Sequence, residues 1–91
     1  MAYYIDYTDR ALRHLEKLEK DEPKAFAKAM RLIEELREHP CKGTGHPEPL
    51  SGDRAGQWSR RITSKHRLVY AVRETEVVVL VLGAYGHYND K

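Results

Sequence analysis

The chain opens on Ala2-Tyr3-Tyr4-Ile5-Asp6-Tyr7, a short aromatic and β-branched run that predicts a first strand. Thr8 or Asp9 can then cap a helix running to about Lys20, with Leu12, Leu15 and Leu18 on its inner face. Asp21-Glu22-Pro23 marks a restart: a capping side chain, acids near a helix N-terminus, and a proline whose missing N–H does no harm there. In the second helix Phe26, Met30, Ile33 and Leu36 follow at spacings of four, three and three and form an inward stripe. His39-Pro40 ends that helix, because a residue before proline avoids helical angles. A strand followed by an antiparallel helical hairpin is therefore expected.

From Cys41 to Gly56 the chain holds four glycines and two prolines and reads as loop. Gln57–Thr63 and Arg67–Arg73 then read as strands joined by a hairpin over Ser64-Lys65-His66. The run from Val77 to Leu82 is apolar at every position, as expected of a central strand covered on both faces. The order β-α-α-β-β-β predicts an α+β fold: a mostly antiparallel sheet with the helical hairpin on one face. At 91 residues, the whole of 1–91 is expected to be one domain around one core.

Composition narrows the class. With 41% hydrophobic and 33% charged residues the chain is expected to fold rather than stay disordered. No apolar run reaches the ~20 residues of a membrane span, and no secretory signal pattern is present. The lone Cys41 has no partner for an internal disulfide, which fits a reducing cytoplasm; it reads as a loop residue, not a nucleophile. The formal charge of +2 is unevenly spread. Residues 1–38 hold eight basic against nine acidic residues, a net of −1; residues 39–73 hold seven against two, a net of +5; residues 74–91 hold one against three, a net of −2. Positive charge concentrated in mid-chain suits a polyanionic partner or a solvated surface.

Strand alternation brings in candidate chemistry. Trp58 and Ile62 share one face of their strand, and Leu68, Tyr70 and Val72 share one face of the next. If these sets face the helices, Arg61 and Arg67 both project from the opposite, open face, where they can grip phosphate or simply solvate the surface. Arg60 alternates to the helix side and reads as structural. Glu48 lies between Pro47 and Pro49, which stiffen the backbone around one carboxylate, the mount a general base needs. His87 follows the last strand, and an imidazole, with an unperturbed pKa of about 6.5, can pass a proton at neutral pH. The other histidines, His14, His39, His46 and His66, form no ligand spacing, so no metal and no cofactor are expected. The Gly43/Gly45 pair lacks the spacing and the following Lys-Ser/Thr of a phosphate loop.

Four segments in order then carry a resemblance: Pro47-Glu48-Pro49-Leu50, Trp58-Ser59-Arg60-Arg61-Ile62-Thr63, His66-Arg67-Leu68-Val69-Tyr70-Ala71-Val72, and the terminal His87-Tyr88. Together they resemble the YoeB/Txe toxins of the RelE superfamily over nearly the whole chain. The resemblance implies a small microbial-ribonuclease-like domain that cleaves messenger RNA in the ribosomal A site without a metal. Carried over, Glu48 would be the general base, His87 the general acid, and Arg67 with Arg61 the stabilisers of charge on the phosphate, while Tyr88 would orient the RNA or stack on a base. The resemblance also implies a YefM-like antitoxin, operator DNA bound only as the toxin–antitoxin complex, a possible homodimer, no membrane partner and a cytoplasmic location. Two departures stand out: Ser51 where the family often has lysine, and Gly86 directly before His87. They leave a second reading, a catalytically weak module that acts through antitoxin and DNA autorepression or by blocking the ribosome.

Overall fold

A computed structural model describes residues 2–86. Strand β1 (Tyr4–Tyr7) is followed by helices α1 (Asp9–Asp21) and α2 (Pro23–Leu36). A long loop then leads through the two-residue strand β2 (Glu48–Pro49) and a 3₁₀ turn (Gly52–Arg54) to β3 (Gln57–Arg61), β4 (Arg67–Arg73) and β5 (Val78–Gly83). The sheet order is β1-β5-β4-β3-β2, with β1 parallel to β5 and every other neighbour antiparallel. The helical hairpin acts as the crossover that a parallel pair requires.

Local chemistry sets the boundaries. Thr8, not Asp9, caps α1: its hydroxyl oxygen accepts from Ala11 N at 3.0 Å. The hydroxyl also lies within bonding distance of the Val81 and Leu82 carbonyls, so the cap is fastened to β5. Glu22 closes α1, its N–H donating to Leu18 O at 2.7 Å, and Pro23 opens α2 where no donor is needed. Among the described residues no helix is long and apolar enough to cross a membrane.

The core faces differ from the leucine-based stripes. Helix α1 buries Ala11, Leu15 and Leu18, whereas Leu12 is 51% exposed. Helix α2 buries Ala25, Ala29, Leu32, Ile33 and Leu36, whereas Met30 is 38% exposed and Phe26 only half-buried. Alanines set the true faces: Ala25, Ala29, Leu32 and Leu36 keep a four-three-four spacing, and small side chains let one helix approach its neighbours closely. These residues pack with Ile62, Leu68, Tyr70, Val79 and Val81 of the sheet.

Strand β5 is an inner strand between β1 and β4, not the middle one, and it is covered fully on one face only, not on both as its apolar run predicts. Val79 and Val81 are buried against the helices, while Val78, Leu80 and Leu82 are half-exposed on the other face. Two boundaries also move. Strand β3 ends at Arg61, two residues before the expected Thr63, and residues 48–49 form an edge strand inside the segment expected to be loop. A Pro-flanked edge is where a proline does least harm to a sheet.

Candidate active site

Three adjacent strands assemble the face turned away from the helices, which is exposed at Glu48 and Arg61 and buried at Ser59 and Val69. Register places Glu48 opposite Ser59, Ser59 opposite Val69, and Arg61 directly opposite Arg67. Glu48 therefore stands on the edge strand, one strand from Arg61 and two from Arg67. The Arg67 side chain reaches across β3, bringing its Nη1 to 3.9 Å from Glu48 Oε1. Directly opposed side chains have Cβ atoms about 5 Å apart, and like charges there repel. One carboxylate against two guanidinium groups leaves a net positive charge on this face, which an anion would neutralise. The Glu48 side chain is 57% exposed and that of Arg67 20%, so the carboxylate is accessible while the guanidinium is largely sheltered.

What holds Glu48 in place lies on the other side of β3. Arg60 is fully buried on the helix-facing side and acts as a clasp for the loop preceding β2. Its Nε donates to Tyr70 Oη at 3.1 Å, and its Nη1 to Glu35 Oε1 at 2.6 Å and Thr44 O at 3.3 Å. Its Nη2 donates to the carbonyls of His39 and Lys42. Glu35 in turn accepts from Thr44 N and Oγ1, and Tyr70 Oη donates to Pro40 O. Burial alone would raise the Glu35 carboxyl, but the bonds from Thr44 and Arg60 outweigh it and hold the group below its usual range. Gly43 passes so close that a Cβ there would lie 2.3 Å from Glu35 Oε1, and its φ of +119° suits glycine. Arg61 N donates to Gly45 O at 2.7 Å, joining the loop to β3 itself. The structural reading of Arg60 thus holds, with a larger role than a snorkelling side chain.

The end of the described chain runs beside the start of β4 and is bonded to His14 and His66. Arg67 N donates to Gly86 O at 2.9 Å, so the residue preceding His87 in sequence is bonded to the backbone of Arg67. His87 and Tyr88 themselves lie outside the described residues. Ser51 lies exposed just after β2. Cys41 is an exposed residue, yet burial of its thiol and the nearby Glu74 push its pKa up, which keeps it protonated and a poor nucleophile. Two features escaped the sequence reading. Ser59, between Glu48 and Val69, is fully buried with its Oγ unpartnered among the described residues. His66 is buried on the helix side, a position that its even spacing with Leu68 and Tyr70 could have revealed.

Comparison with known proteins settles the family. Residues 7–88 match the model of the "YoeB-like toxin of bacterial type II toxin-antitoxin system". The chain belongs to the YoeB-like toxins. It is 47% identical over 57 residues to Toxin YoeB of Mycobacterium bovis, a stretch covering 63% of this chain and 67% of that one. The YoeB/ParE toxin from Agrobacterium tumefaciens superposes with a TM-score of 0.88 at 35% identity, over 93% of this chain and 99% of that chain. YoeB of Staphylococcus aureus, 27% identical over 97% of this chain and all of that one, superposes at 0.83 as a dimer and 0.81 in its heterotetrameric complex with YefM. This YoeB-like chain therefore has the α+β fold of its family, with the mixed five-stranded sheet described above.

Proposed function

We propose that this toxin is a ribosome-dependent endoribonuclease that cuts messenger RNA in the A site by acid–base chemistry at a ribose 2′-hydroxyl. The observation that carries the reading is the meeting of Glu48 and Arg67 at 3.9 Å, with Arg61 opposite Arg67 and both Glu48 and Arg61 exposed. Glu48 takes the proton from the 2′-hydroxyl, whose oxygen attacks the adjacent phosphorus. Arg67 and Arg61 stabilise the charge gathered on the phosphate oxygens as phosphorus becomes five-coordinate. His87 protonates the departing 5′-oxygen, and Tyr88 orients the RNA or stacks on a base. The products are a 2′,3′-cyclic phosphate and a 5′-hydroxyl end. The nucleophile belongs to the RNA, so DNA is not a substrate.

The relation to the S. aureus YoeB–YefM complex supports a YefM-like antitoxin that covers the basic face, with operator DNA bound by the toxin–antitoxin complex. The S. aureus dimer supports a homodimer for the free toxin. The reading is tested by incubating a defined messenger RNA on ribosomes with an empty A site and comparing wild type with Glu48→Gln, Arg67→Ala and His87→Ala. A-site cuts bearing 5′-hydroxyl ends are expected, slowed about 10²–10⁴-fold by loss of the base or the acid. Intact ribosome binding with no cutting by folded wild type would replace this reading with that of a binding module.

A further inference from the structure

Two histidines from different parts of the chain hold the segment that follows β5. Ala84 N donates to His14 Nδ1 at 3.0 Å, and Gly86 N donates to His66 Nδ1 at 2.9 Å. His66 is the more confined, 3% exposed and 4.4 Å from the Tyr85 ring by centroids. Its Nε2 lies 2.8 Å from Glu22 Oε2, and Lys65 Nζ lies 3.6 Å from the other Glu22 oxygen. A ring nitrogen that accepts from a backbone N–H carries no proton. The ring proton therefore sits on Nε2 and is donated to Glu22, which fixes one neutral tautomer. Lys17, 5.1 Å from the centre of the Tyr85 ring, and His14 face the cluster from α1.

The arrangement is a relay across the fold. Glu22, at the joint between the helices, orients His66, and His66 holds the N–H of Gly86, while the neighbouring Arg67 N holds the Gly86 carbonyl. Both sides of residue 86 are thus tied to consecutive residues at the start of β4. An aliphatic residue at 66 would satisfy the inward pattern shared with Leu68 and Tyr70, but it could bond neither Glu22 nor Gly86. A buried imidazole is retained only where both nitrogens are satisfied, and here each meets a different, distant element.

We propose that His66, oriented by Glu22, is a positioning residue: by fixing the backbone of Gly86 it sets the point from which the chain continues to His87 and Tyr88, the pair that the ribonuclease reading uses. The proposal rests on the ribonuclease reading above. It differs from a merely structural role in requiring the Nδ1 acceptor specifically. Two variants separate the two bonds. In His66→Asn the amide oxygen falls near the Nδ1 position and can still accept from Gly86, while Glu22 is out of reach. In His66→Gln the amide reaches toward Glu22, and the Gly86 acceptor is lost.

Amide hydrogen exchange at Gly86 is expected to stay slow in wild type and His66→Asn and to become fast in His66→Gln. Nitrogen-15 NMR of the wild-type imidazole should place the proton on Nε2. In the A-site cleavage assay, His66→Gln should lose about 10- to 100-fold in kcat with KM little changed, as expected for a displaced catalytic group. His66→Asn should recover most of that loss. Equal losses in the two variants, or a Gln variant with wild-type Gly86 protection and wild-type kcat, would overturn the positioning role. Wild type that cuts no RNA would instead overturn the ribonuclease reading, and the exchange and NMR readouts distinguish the two failures because neither uses RNA.

Discussion

Replacing Arg60 by lysine keeps the charge and most of the length but removes the planar fork. The arginine makes five contacts, to Tyr70 Oη, Glu35 Oε1 and the carbonyls of Thr44, His39 and Lys42. A lysine ammonium has three donors on one atom, so at least two of these partners lose their bond. A hydrogen bond to a charged group contributes about 1.5–3 kcal/mol, and buried acceptors left unpaired carry their own desolvation cost. Arg60→Lys should therefore destabilise the fold by about 3 kcal/mol or more. For a domain of this size each kcal/mol corresponds to roughly 4–8 °C, so Tm should drop by about 12 °C or more. The assay is urea unfolding of wild type and variant at pH 7, with amide exchange followed at Thr44 and Arg61. Both amides sit on the loop joint that the clasp maintains, one bonded to Glu35 and the other to Gly45. A loss below about 1 kcal/mol, with unchanged unfolding slope and both amides still protected, would refute the clasp.

Two further outcomes can be checked on stability alone. Leu12→Lys should change the unfolding free energy by no more than about 0.5 kcal/mol because Leu12 is exposed, whereas Leu15→Ala should cost about 2–5 kcal/mol; equal costs in urea unfolding would contradict the helix orientation. Acid should weaken the fold in two stages. Burial first, then Arg10 and Arg13, hold the His14 pKa below its usual value of about 6.5, and its Nδ1 is already accepting from Ala84 N. That lowering makes stability full above about pH 6.5 and progressively lost as pH falls through the folded-state value. Glu35 and Glu22, both held below the usual carboxylate range, add a second loss at lower pH. The upper stage should vanish in His14→Asn, and a variant curve that overlays wild type would contradict the assignment.

Much of this fold is written in period-two and period-3.6 spacing. Alternation in residues 57–73 places Arg60 inside and Arg61 and Arg67 on the face turned away from the helices, and the proline-flanked Glu48 joins them. The helix faces were less legible because hydrophobic pattern counts weight leucine, methionine and phenylalanine over alanine. Ala11, Ala25 and Ala29 are almost wholly buried and turn each helix away from its bulkier neighbours Leu12 and Met30. Strand β2 escaped because two residues show no alternation, and because proline usually argues against pairing. The loop clasp could not be read at all: it joins Glu35, Thr44, Arg60 and Tyr70, residues whose spacing in sequence carries no local signal. Glu22 and His66, forty-four positions apart, are hidden for the same reason.

The parallel pairing of the first strand with the last has a consequence for biosynthesis. Register sets Tyr4 beside Val78 and Tyr7 beside Val81, so β1 finds its only sheet neighbour among the described strands only after the helices and three other strands have been made. The helical hairpin can form early from local contacts, but its apolar face has no complete sheet to cover until β5 emerges. Until then the growing polypeptide holds β1 unpaired and Val79 and Val81 unburied, and the β4–β5 pairing that brings Gly86 to Arg67 does not exist. A sheet whose first strand waits for its fifth cannot close strand by strand: its earliest element is the one held open longest.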